Sequence, residues 1–71
     1  MDEVKTTRKA IRLSLSLLAH EAIVSRFRLW SAEQGTLVLT PEEQARVWAA
    51  LRNEAARIEG IFRALESVSG N

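Results

Sequence analysis

Cysteine is absent from the chain, and histidine occurs once, as His20. The first absence removes disulfides and thiolate metal sites. The second leaves no His-rich metal site within one copy of the chain. Charge of one sign is also missing: 10 Lys and Arg stand against 9 Asp and Glu, a net charge of +1. A global basic surface for nucleic acid is therefore excluded. No apolar run approaches the ~20 residues that span a bilayer. The basic start ahead of LSLSLLA imitates a signal peptide, but Asp2 and Glu3 spoil its n-region. His20-Glu21 then stands where small residues mark cleavage, so an unprocessed cytoplasmic protein is expected. Glycine-rich phosphate loops, nucleophile elbows and metal-binding helix motifs are missing too. No catalytic residue, metal ligand or cofactor is assigned, and the protein is expected not to be an enzyme.

The 71 residues make one domain. A domain this short buries only about 60% of the surface its unfolded chain exposes. Without disulfides or a metal, self-association is the remaining staple, and a homodimer is expected.

With a single proline and three glycines, the chain has one clear break, GTLVLTP at 35–41. Beyond it, Thr40-Pro41-Glu42-Glu43 is a helix start. Thr40 and Glu43 form a capping box, and Pro41 sits at the first helical position, where its missing N–H costs nothing. Val47, Leu51, Glu54, Ile58, Ile61, Leu65 and Val68 then recur at alternating spacings of four and three, a heptad seam. Ala55 and Phe62 widen it, and Gly60 falls off it. Glu42–Arg46 and Glu59–Arg63 are i,i+4 pairs of favourable orientation. Glu54 interrupts the seam and must be paired or sit at a wet edge, since a buried lone carboxylate is costly. A helix is predicted over 41–67.

The first arm carries two apolar stripes when read as one helix over 3–33 with Gly35 near its C-terminal cap. Ile11, Leu15, Leu18, Ala22, Ser25 and Leu29 form one; Leu13, Leu17, His20, Val24 and Phe27 form the other. At 100° per residue the stripes lie roughly 190° apart. A helix apolar on opposite faces must be covered on both. The predicted architecture is therefore an all-α antiparallel helical hairpin that pairs with a second copy into a four-helix bundle. The dimer seam is expected at Leu13, Leu17, His20, Val24 and Phe27.

A second reading makes 10–17 a strand, because Ile11, Leu13, Leu15 and Leu17 alternate with Arg12, Ser14 and Ser16. That alternation resembles the N-terminal strand of ribbon–helix–helix repressors. The resemblance covers about eight residues and implies a DNA-binding regulator. Arg12, Ser14 and Ser16 would then read bases, while Lys5, Arg8 and Lys9 contact phosphates. Here, however, nothing stops a helix at Leu17-Leu18, and the loop at 34–40 is longer than that family's turn.

The loop itself is unusually apolar, with Leu37, Val38 and Leu39 in succession. Phe27 and Trp30 precede it and Trp48 follows it. With Arg28 and Arg52, these residues form the expected partner-binding patch, since aromatics and arginine most often anchor protein contacts. The leading expectation is a non-enzymatic protein–protein interaction module of the adaptor, antiactivator or inhibitor type. Phage-borne proteins of this size include such modules.

Overall fold

In the computed structural model, residues 1–69 are described, with side chains through 67. The described chain is all-helical: α1 (Asp2–Ala10), α2 (Leu15–Ala22), α3 (Arg26–Gln34) and α4 (Pro41–Ser69). The single helix expected over 3–33 is thus three short ones. No strand forms at 10–17, which hold the end of α1, a turn and the start of α2.

The breaks share one piece of local chemistry. At the end of α1, Arg12 adopts a left-handed φ of 56°, and the Leu13 N–H reaches back to the Arg8 carbonyl at 3.0 Å. At the end of α2, Ile23 takes the same φ of 56°, and the Val24 N–H reaches the Ala19 carbonyl at 3.0 Å. At the end of α3, Gly35 has φ 85°, and the Thr36 N–H reaches the Ser31 carbonyl at 3.0 Å. Each is a Schellman ending, which satisfies carbonyls the helix would otherwise orphan. A serine then restarts the chain. Ser14 Oγ accepts from the Leu17 N–H, and Ser25 Oγ from the Arg28 N–H, both at 3.1 Å. These are N-caps of the strongest class. Arg12-Leu13-Ser14 and Ile23-Val24-Ser25 are therefore the same turn used twice.

Breaking the arm merges its two stripes. Leu18, Ala22 and Leu29 from one and Leu13 and Val24 from the other enter a single core, together with Val4, Leu39, Val47 and Leu51. Leu13 and Val24 are thereby removed from the expected dimer seam, because this chain covers them itself. Both are the residues just past a left-handed turn, where the chain tucks an apolar side chain under the preceding helix.

Ion pairs clamp the helices. Arg8 donates from Nε and Nη2 to the Glu33 carboxylate at 2.8 and 2.9 Å, and from Nη1 to the Leu13 carbonyl at 3.0 Å. Arg28 grips Glu43 at 2.9 and 2.6 Å, tying α3 to the first turn of α4. Arg46 does not pair with Glu42. It donates from Nε to the Ala22 carbonyl at 2.9 Å, at the C-terminal end of α2. The capping box forms in both directions, with Thr40 N–H on Glu43 at 2.9 Å and Glu43 N–H on Thr40 Oγ1 at 3.1 Å.

Glu43 is held at about 2 rather than 4.5 by its bond from Arg28, assisted by the Thr40 backbone. A carboxyl depressed in the folded state contributes stability above its ordinary value and loses it as pH falls toward the depressed one. Thermal melting between pH 5 and pH 2 should therefore fall more steeply for the wild type than for Glu43→Gln. Parallel curves would remove this pair from the list of clamps.

α4 is 29 residues long, or about 43 Å at 1.5 Å per residue. The molecule measures 50 × 18 × 16 Å, so α4 sets its long axis and runs out past the other helices. Its first half is covered: Val47, Ala50, Leu51 and Glu54 are buried. From Ile58 on, the same stripe comes out into solvent.

Candidate partner-binding site

α3 fixes the site through its inner face. Leu29, Ala32 and Glu33 are buried, and the helix is pinned at both ends by Glu33–Arg8 and Arg28–Glu43. Residues three and four apart share a face of a helix, so Arg26, Phe27 and Trp30 are turned outward. Phe27 is 70% and Trp30 49% exposed, large fractions for two aromatics. Their ring centroids lie 6.5 Å apart with planes tilted by 33°, within the range of favourable aromatic pairs. With Leu15 at the start of α2, Arg26, Phe27 and Trp30 line an open, largely apolar hollow of about 380 Å³.

The other expected patch residues separate. Leu39 is buried in the core, and Leu37 and Trp48 pack half-buried against it. Leu39 is therefore withdrawn as a partner-binding residue. Of the loop's three aliphatics, Leu37 and Leu39 plug the bundle and Val38, 85% exposed, points out. Arg28 is paired with Glu43 through Nε and Nη2, and its side chain is still 40% exposed. Arg52 is exposed on α4.

Of the expected dimer seam, Leu17, His20 and Phe27 are exposed. His20 lies on a wider groove of about 790 Å³ between the end of α2 and α4, with Ile23, Arg46, Ala50 and Glu54 among its lining. Glu54 is nearly buried and accepts from Arg57 Nε at 3.0 Å and also from Nη2. That contact, chiefly as a hydrogen bond, raises the Arg57 pKa, with Glu21 adding attraction. Among the described residues no cluster of acidic, histidine or cysteine side chains could hold a metal.

Ile23 was not legible as a site residue. It is a β-branched residue in the left-handed region, 78% exposed at the groove's rim. That conformation costs a non-glycine residue roughly 1–2 kcal/mol, and Ile23 recovers none of it by burial. The signal available in the sequence was Ser25, a cap two residues on.

The basic cluster also divides. Arg8 is spent on buried Glu33, and Ser14 is an N-cap, so neither is left to contact DNA as expected. Lys9, Arg12 and Ser16 are exposed and Lys5 is half-buried. No helix among the described residues is long and apolar enough to cross a membrane. No protein-family model, curated protein or solved structure matches the chain.

Proposed function

We propose that the protein is a non-enzymatic interaction module that binds a partner protein and modulates it by covering part of its surface, and that it works as a homodimer. The observation that carries this reading is the Phe27–Trp30 pair held on the outside of α3 beside an apolar hollow. A monomer gains nothing in stability from exposed aromatics, whereas aromatic and arginine side chains dominate the energetics of interfaces. The platform is also rigid. Clamping α3 by two ion pairs and a buried face lowers the ordering cost of binding. Arg26, beside the rings, supplies a rim charge for orientation.

The test is co-purification from the source organism with tagged wild type and with the Phe27→Ala/Trp30→Ala variant. The wild type should retain a stoichiometric protein that the variant loses, while both melt within a few degrees of each other. Equal retention by the two chains, or none by the wild type, contradicts the reading.

A further inference from the structure

We infer that the second copy docks on the outer half of α4, antiparallel, so that Ile58, Ile61, Phe62 and Leu65 of the two chains meet across a two-fold axis near Phe62. This rests on the homodimer reading above and assigns it a surface different from the first arm.

The stripe begins inside the protein. Val47, Leu51 and Glu54 are buried, and α4 packs against α1 and α2. Beyond them, at the same heptad spacing, Ile61 is 47%, Phe62 60% and Leu65 58% exposed, and Ile58 is half-buried. The side chain of Val68, the next position, lies outside the described residues. A chain whose seam stops being covered midway has the pattern of a coiled-coil helix missing its mate. Gly60 sits in this segment with nothing within 4 Å of where a Cβ would stand. Gly60 costs the helix stability relative to alanine.

A second copy fits this surface for two reasons. Positions 58, 61, 62 and 65 carry no charge, Ala55 and Ala64 flank them, and Glu59 is already closed on Arg63 at 2.6 Å. An isologous contact therefore brings no like charges into its centre. The second reason is geometric and also sets direction. The body of α1–α3 lies on the same face of α4 as the outer stripe. Parallel chains would place both bodies between the two stripes and hold them apart. Antiparallel chains put the bodies at opposite ends, and the outer halves close on each other. The contact is short, since Ile58 to Leu65 span about 10 Å of helix, and it is small beside the interfaces of permanent dimers. The dimer should accordingly be weak and reversible.

Sedimentation equilibrium across micromolar concentrations should show a monomer–dimer equilibrium for the wild type. Ile61→Glu should weaken it at least about tenfold, whereas Val38→Glu, the same kind of change at an exposed site outside the stripe, should leave it unchanged. Because the chain has no cysteine, direction is read by single-cysteine variants. Phe62→Cys should cross-link to its own copy under oxidation, and Ala55→Cys, about 20 Å from its copy in this arrangement, should not. A dimer that survives Ile61→Glu places the contact elsewhere and overturns the inference while leaving the dimer intact. A wild type that stays monomeric throughout overturns both. Self-cross-linking of both cysteine variants overturns the antiparallel arrangement.

Discussion

Arg8→Leu is expected to destabilise the protein by about 3–5 kcal/mol, the cost of removing one partner from a buried ion pair. The Glu33 side chain is 1% exposed, and Arg8 supplies both of its contacts. Without the guanidinium the carboxylate has no charge partner and no route to water. The same change removes the donor to the Leu13 carbonyl, which helps set the turn after α1. A chain of 71 residues has roughly 4–10 kcal/mol of stability at 0.05–0.15 kcal/mol per residue, so a loss of this size is a large fraction of the whole and should lower the melting temperature by more than about 10 °C. Replacing both partners, Arg8→Leu with Glu33→Leu, should restore most of the loss, because apolar side chains of similar volume often substitute for a buried pair without penalty. Urea denaturation of the two single variants and the double variant measures this. A double variant no more stable than Arg8→Leu would mean that the pair is a required connection and not merely a compensated charge.

Leu18→Ala should cost about 2–5 kcal/mol, while its neighbour Leu17→Ala should cost under about 1 kcal/mol. Leu18 is fully buried in the core, and Leu17 is 43% exposed. The contrast is sharper than either value. Were the first arm a continuous helix in a four-helix bundle, Leu17 would sit in the dimer seam and both truncations would be severe. Comparable losses at the two positions, measured by chemical denaturation, would reinstate that bundle.

The second arm was legible because its signals are local. The capping box at Thr40–Glu43, Pro41 at the first position and the Glu59–Arg63 pair each involve residues within one turn, and all three form. Gly35 was readable as a helix end for the same reason. The turns at Arg12 and Ile23 were not. Glycine usually marks a left-handed residue, and here arginine and isoleucine occupy that role. Ser14 and Ser25 were the remaining signals, and a serine within an apolar periodicity is easily absorbed into a helix. The error propagated, because two stripes on opposite sides of one helix become one core once the helix is folded back twice. Leu13 and Val24 moved from a supposed interface to the interior in this way. The Arg8–Glu33 clamp joins residues 25 apart, and no periodicity points from one to the other. The loop 34–40 was readable only as apolar, since the burial of Leu39 and the exposure of Val38 come from tertiary packing that no local signal marks.

The broken first arm also changes what the exposed residues mean. The core closes within one chain, so the dimer is no longer needed to cover the first arm. Alongside Leu17, Ile23 and Val38, what stays uncovered is the aromatic pair on α3 and the outer half of α4, each on an element held firmly at its other face or end. These two surfaces would leave partner binding and self-association separable by mutation, at Phe27 and Trp30 for one and at Ile61 for the other.

Amide hydrogen exchange along α4, compared at a low chain concentration and one about a hundredfold higher, tests this arrangement most directly. Amides beside Val47, Leu51 and Glu54 should be protected equally at both, since the body covers them within one chain. Amides from Ile58 to Leu65 should exchange quickly in the dilute sample and gain protection in the concentrated one. Protection of the outer half that does not change with concentration, or a gain that falls on α2 and α3 instead, would contradict it.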